Sequence, residues 1–156
     1  MLKIKLIVVG SLKESYWREA FAEYCKRLVP YVQLEIKELK ETPFRDIGER
    51  ENVMKQEGER ILAAISRDSY VIVLDREGKQ LSSEKFAQSI EREGESGREL
   101  IFIIGGALGL APEVKKRAYL LLSFGDLTFP HQLIRIVLAE QLYRAVTILR
   151  GKAYHY

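Results

Sequence analysis

Leu100-Ile101-Phe102-Ile103-Ile104-Gly105-Gly106-Ala107-Leu108-Gly109 is an unbroken apolar run that leads into a glycine-rich loop. Five consecutive apolar residues suit a strand covered on both faces, as in a parallel sheet. Tyr70-Val71-Ile72-Val73-Leu74 has the same character. Working outward, Lys3 to Val9 is an apolar strand ended by Gly10, and Tyr119 to Leu122 is a short last strand. Val32 to Leu39 alternates apolar and polar residues, the period-2 mark of a half-exposed strand. Helical patterns lie between them. They cover Glu14 to Leu28 (stopped by Pro30), Glu49 to Arg67, a Ser82-capped stretch to about Glu93, a short turn from Ala111, and Pro130 to about Leu149. Lys40 to Gly48 reads as a polar loop and Asp75 to Lys79 as a turn. The alternation predicts an α/β fold, a single parallel sheet flanked by helices. Ligands in such sheets bind beyond the C-terminal strand ends. Leu74, Ile104-Gly105 and Leu122 to Gly125 all fall there.

The chain has 156 residues, 47% hydrophobic and 30% charged, which suits one globular domain spanning 1–156. The net charge of +3 is too small to imply a nucleic-acid partner by itself. Its placement says more, because Arg117, Arg135, Arg144, Arg150 and Lys152 outnumber Asp126 and Glu140 toward the C-terminal end. Cys25, the one cysteine, excludes an internal disulfide and reads as a small core residue. No apolar run approaches the ~20 residues of a membrane span, and the N-terminal Leu6-Ile7-Val8-Val9 is too short for a signal segment. A cytoplasmic protein without membrane contact is expected. With two histidines and no third ligand in view, no metal site is expected either.

The Gly105–Gly109 loop lacks the Gly-Lys-Ser/Thr of a phosphate loop and the spacing of a dinucleotide fingerprint. Two readings stand: a tight strand-to-helix turn, or a loop whose backbone approaches a ligand. In Phe124-Gly125-Asp126-Leu127-Thr128-Phe129-Pro130, Thr128 is a candidate cap for the last helix. Such a helix start offers N–H groups to a carboxylate or an RNA phosphate.

At about 100° per residue, Ile134, Val137, Leu138, Leu142, Ala145, Val146, Ile148 and Leu149 form a broad apolar arc of the last helix. Ile136, Ala139 and Tyr143 extend it, leaving only a narrow stripe of Glu140, Arg144 and Thr147. A helix this apolar is either central in the core or shared with a second copy, and the second reading predicts a homodimer. Arg144 is four residues past Glu140, so it makes either a helical ion pair or a substrate contact. Arg135 has no obvious partner. Tyr154, His155 and Tyr156 follow Gly151, a candidate helix C-cap. They are either an adventitious tail or a platform for an unpaired base, with His155 able to handle a proton.

Several segments together resemble the SPOUT-class, trefoil-knot ribosomal RNA large subunit methyltransferase H family, over the whole chain. They include Ile7-Val8-Val9-Gly10, Tyr16-Trp17, Glu57-Gly58 and Ile104-Gly105-Gly106. Leu127-Thr128-Phe129-Pro130-His131, Glu140-Gln141-Leu142-Tyr143-Arg144-Ala145 and Ala153-Tyr154-His155, in that order, are the most specific. The resemblance implies a C-terminal trefoil knot and a homodimer. It implies S-adenosyl-L-methionine held by Leu74, Gly105, Phe124, Gly125, Asp126, Leu127, Thr128 and Phe129. It also implies methyl transfer to N3 of a pseudouridine in 23S rRNA on assembled ribosomes, without metal. On that reading His155 is the candidate base, Tyr154 stacks on or orients the substrate base, and Arg144 holds the base or a phosphate. The rivals are a SPOUT methyltransferase acting on tRNA, a nucleotide-binding α/β enzyme and a dimeric ribosome-binding factor without catalysis.

Overall fold

The computed structural model describes residues 1–154. In chain order the elements are β1 (Leu2–Val9), α1 (Ser15–Leu28), β2 (Val32–Leu39), α2 (Arg50–Ala64) and β3 (Tyr70–Gln80). They continue with α3 (Ser83–Glu95), β4 (Leu100–Ile104), α4 (Pro112–Arg117), β5 (Leu120–Ser123) and α5 (His131–Leu149). A short 3₁₀ turn, Ile47–Glu49, precedes α2. The strands form one sheet in the order β2-β1-β4-β3-β5, and every pairing is parallel.

Successive side chains of a strand point to opposite faces, and the core divides accordingly. Ile4, Leu6 and Val8 of β1, Ile72 of β3 and Phe102 of β4 face the layer of α1, α3 and α5. Ile7, Val9, Val71, Val73, Ile101 and Ile103 face the layer of α2 and α4. All five residues of β4 are buried, because both layers cover the sheet centre. β2 forms one edge, and beyond Val32 its residues are exposed or half-exposed. Its charges, such as Glu35 ion-paired with Lys5 at 3.1 Å, discourage pairing with another sheet.

Ser82 caps α3 as its sequence suggests, accepting from the Lys85 N–H at 3.2 Å. Two expectations change. The polar run Asp75 to Lys79 is a continuation of β3 through an irregularity, where the register against β5 shifts between Leu74 and Lys79. Gly78 permits this. A Cβ there would lie 2.6 Å from the Leu121 carbonyl, so the two backbones could not close up. Thr128 does not cap α5. The N-cap is Pro130, without a side-chain cap bond. The Thr128 hydroxyl instead accepts from Arg76 Nη1 at 3.4 Å.

The long helix α5 lies between α1 and α3 against the sheet. Leu138, Ala139 and Leu142 are completely buried, whereas Leu133, Val137, Gln141 and Ile148 stay half-buried along one side. Arg135 does have partners, and they lie far away in sequence. Its guanidinium is buried, ion-paired with Glu38 at 2.8 Å and donating to the Gly10 carbonyl at 3.0 Å. It also lies 5.7 Å from the centroid of the Phe21 ring. One side chain thus ties α5 to β1, β2 and α1. Replacing Arg135 with Met should lower stability by about 2 kcal/mol, since Gly10 loses its donor and Glu38 its charge partner. Glu38 is half exposed, which keeps the cost below that of a fully buried pair. A urea midpoint unchanged from the parent protein would refute the tie.

Candidate functional site

The C-terminal ends of β3, β4 and β5 and the start of α5 surround a pocket of about 580 Å³. Volumes of roughly 300–1,000 Å³ are typical of small-molecule sites. Leu74, Ile104, Leu122, Phe124 and Ile134 give it an apolar lining. Gly105, Gly125, Leu127, Thr128 and Phe129 also line it, so seven of the eight expected cofactor contacts converge. Asp126 is the exception and does not line the pocket.

Backbone geometry explains the glycines. Gly125 has φ +124°, a conformation that side-chain-bearing residues rarely adopt. Its N–H donates to the Ser123 hydroxyl at 3.1 Å, and that hydroxyl lies 2.8 Å from the Arg76 carbonyl, to which it donates. Gly105 packs so tightly that a Cβ would lie 2.7 Å from Leu110 Cγ. The Gly105–Gly109 segment is therefore both a tight turn and a pocket wall.

Charged side chains stitch the loops together, and single-sequence reading missed them. Arg50 of α2 donates to the Leu108 carbonyl at 3.1 Å. Lys115 of α4 pairs with Asp75 of β3 at 2.8 Å. Burial works against ionisation of Asp75, but the hydrogen bonds from Lys115 and the Glu77 N–H outweigh it. They hold the carboxyl below its ordinary value. These partners are too distant along the chain to show in any local pattern.

Glu57 lies beneath the same loops. It is only 4% exposed, and Oε2 accepts from the Thr42 N–H at 2.9 Å. Oε1 is buried without a hydrogen-bond partner, 2.8 Å from where a Gly106 Cβ would stand. Burial pushes this carboxyl above its ordinary value, against the pull of Thr42 and Arg60. The Glu57-Gly58 pair already figured in the resemblance. Its reason is steric, since a Cβ on Gly58 would come within 2.9 Å of Ala111 Cβ.

His131 lines the pocket at the first turn of α5. Burial lowers its pKa from the ordinary 6.5, helped by Arg135 and Lys13 and opposed by Glu41. The imidazole is therefore neutral at pH 7. A lowered histidine pKa supplies stability that is full above 6.5 and is lost as pH falls through the folded value. Replacing His131 with Gln should flatten the decline of the melting temperature below pH 6.5. A parallel decline in both proteins would refute the assignment.

The candidate catalytic residues form a separate cluster. Arg144 Nη2 pairs with Glu140 Oε1 at 2.6 Å, the ion pair that the spacing allows. The Tyr154 hydroxyl donates to the same oxygen at 3.2 Å. The Arg144 guanidinium lies 5.1 Å from the Tyr154 ring centroid, and Tyr143 meets that ring edge-on at 4.7 Å. Burial, the hydrogen bond with Tyr24 and the nearby Glu140 charge push the Tyr154 phenol up to about 12. Candidate His155 lies outside the described residues. Neither Arg144 nor Tyr154 lines the pocket. Arg144 is ten residues along α5 from Ile134, which at 1.5 Å per residue is about 15 Å.

Among the described residues no group of His, Cys, Asp and Glu is arranged to hold a metal ion. None of their helices is long and apolar enough to cross a membrane. Cys25 is half-buried in the core, and burial pushes its thiol up to about 11, consistent with a packing role.

A single parallel sheet covered by helices on both faces, with a ligand-sized pocket at the C-terminal ends of its strands, defines the α/β class. The chain belongs to the SPOUT methyltransferases, since the model described as predicted SPOUT methyltransferase matches residues 2–155. It is similar to the ribosomal RNA large subunit methyltransferase H of Caldicellulosiruptor saccharolyticus, 49% identical over 155 residues, 97% of this chain and 99% of the relative. It is 51% identical to the Streptococcus thermophilus protein of the same name over 158 residues, 99% of both chains.

Proposed function

We propose that this chain, acting as one domain over its whole length, is an S-adenosyl-L-methionine-dependent methyltransferase. Its target is N3 of a pseudouridine in 23S rRNA on assembled ribosomes. The observation that carries the reading is the convergence of Leu74, Gly105, Gly125, Leu127, Thr128 and Phe129 on one pocket. Two relatives spanning nearly the whole chain carry a large-subunit rRNA methyltransferase name. The same reading includes the C-terminal knot.

The pocket suits this donor. Its apolar lining accepts an adenine ring, and backbone at Gly105 and Gly125 can approach closely. The neutral imidazole of His131 does not repel a sulfonium cation. When bound, the donor supplies an activated methyl group. The protein's part is to orient the groups and exclude water.

The acceptor side is assigned to Arg144, Tyr154 and His155. A phenol at about 12 stays protonated at neutral pH, so Tyr154 stacks or donates rather than abstracting a proton. His155 is the proposed base for the N3 proton, and Arg144 the group that holds the base or a phosphate. Within one chain neither Arg144 nor Tyr154 lines the pocket, and Arg144 stands about 15 Å along α5 from Ile134. A homodimer resolves this, with one protomer lending its Arg144 cluster to its partner's pocket. The half-covered side of α5 at Leu133, Val137, Gln141 and Ile148 supports such pairing.

The test is methyl transfer from labelled S-adenosyl-L-methionine to assembled ribosomes, free large-subunit rRNA or tRNA from cells lacking the activity. Label recovered as N3-methylpseudouridine, strongest with assembled ribosomes, is the expected result. Label in tRNA would overturn the substrate. No label, with no donor binding, would overturn the enzyme reading.

A further inference from the structure

We propose that the N-terminal end of the sheet carries a second contact for single-stranded RNA, built on Tyr119 and the guanidinium groups of Arg98 and Arg117. This deepens, and rests on, the reading of the chain as an rRNA enzyme. The site faces away from the pocket. Tyr70 opens β3 and Tyr119 directly precedes β5, whereas the pocket lies at the other ends of those strands.

Tyr119 is 59% exposed, unusual for an aromatic that is already packed. One side of its ring stacks on Tyr70, with centroids 5.0 Å apart and planes 17° from parallel. Arg98 lies against both rings, 4.7 Å from the Tyr119 centroid and 5.5 Å from that of Tyr70. Arg117 is 6.0 Å from the Tyr119 centroid. The two cations are held in place by backbone rather than by acids. Arg98 donates to the Asp68 and Ser69 carbonyls at 3.4 and 3.2 Å, and Arg117 to those of Ser66 and Arg67 at 3.5 and 3.3 Å.

Carboxylates are close, but none among the described residues pairs with either guanidinium. Glu93 pairs with Arg92 at 2.9 Å, and Glu99 accepts the Ser66 hydroxyl. Asp68 meets Arg98 through its carbonyl, not its carboxylate. Among the described residues Arg67, Arg98, Lys116 and Arg117 make no ion pair. Arg67, whose carbonyl accepts from Arg117, and Lys116, next to Arg117 in sequence, are both exposed. Two guanidiniums fixed against a pre-stacked, solvent-facing ring match an unpaired base with its flanking phosphates. An aliphatic or acidic peptide would leave the ring face unused. The arrangement also gives this weakly charged protein a local phosphate contact that its net charge of +3 cannot provide.

The experiment measures anisotropy of a labelled twelve-nucleotide oligouridine with the full-length protein, alongside KM for assembled ribosomes. Tyr119→Ala should weaken oligonucleotide binding about tenfold, as expected for loss of one stacked base, while Tyr119→Phe stays near the parent. The exposed pair Arg67→Ala and Lys116→Ala should make the salt dependence shallower, with donor affinity unchanged. Oligonucleotide binding unaffected by Tyr119→Ala overturns the proposal. So does a raised KM for ribosomes with unchanged oligonucleotide binding, which would identify a protein partner. Binding needs no methyl transfer, so Tyr119-dependent binding without catalysis would support this contact while sinking the proposed reaction.

Discussion

Mixing two inactive variants should restore methyl transfer. One carries Arg144→Ala, and the other a disabled pocket, such as Gly125→Val. If each pocket uses its partner's Arg144 cluster, either homodimer lacks a working site. A mixed dimer keeps one intact pocket facing one intact Arg144. Random exchange at equal amounts makes half the dimers mixed, each with one of two sites working, so activity should return to about a quarter of the parent level. The physical basis is the roughly 15 Å that α5 puts between Ile134 and Arg144 of the same chain. Arg144→Ala also removes the charge partner of Glu140, whose Oε1 keeps the hydrogen bond from the Tyr154 hydroxyl. Its donor affinity should nevertheless be unchanged. A mixture as inactive as its parts would show that pocket and Arg144 act within one protomer, or that no dimer forms.

The second large effect concerns Gly125 alone. At φ +124° an alanine is strained by about 1–3 kcal/mol, although nothing lies within 4 Å of the added Cβ. The loop would relax by rotating its backbone. That would break the contact with the Ser123 hydroxyl and move Leu127 to Phe129 away from the pocket. Gly125→Ala should weaken donor binding about tenfold or more in calorimetry, with a melting temperature only a few degrees lower. Full donor affinity would mean that the loop's conformation is unimportant and would undermine the placement of the cofactor.

The sheet was legible in the chain because apolar runs such as Leu100–Ile104 have few other uses, and glycines mark their ends. The strand ends then located the pocket. Three things were not legible. The Asp75–Lys79 irregularity carries the composition of a turn, and only the close approach of Gly78 to β5 keeps it a strand. Arg135 looked unpartnered because Glu38 and Gly10 lie 97 and 125 residues away, where no local period reaches. The lone buried oxygen of Glu57 has no sequence signature at all, since a helix with many acids gives no hint of which one points inward. Arg144 and Tyr154, read from the sequence as candidate acceptor residues, meet on one oxygen of Glu140, but their distance from the pocket depends on the tertiary course of α5.

The lodging of α5 has a temporal side. Synthesis runs from the amino end, so the strands and the first four helices leave the ribosome before α5. Until then one face of the sheet is covered by α1 and α3 alone, the Gly10 carbonyl lacks the Arg135 guanidinium, and the pocket lacks the wall formed by His131 and Ile134. Such contacts between distant parts of a chain form slowly. An unfinished chain would therefore have every strand but an incomplete pocket, so that competence for the proposed chemistry would arrive all at once, with the last helix.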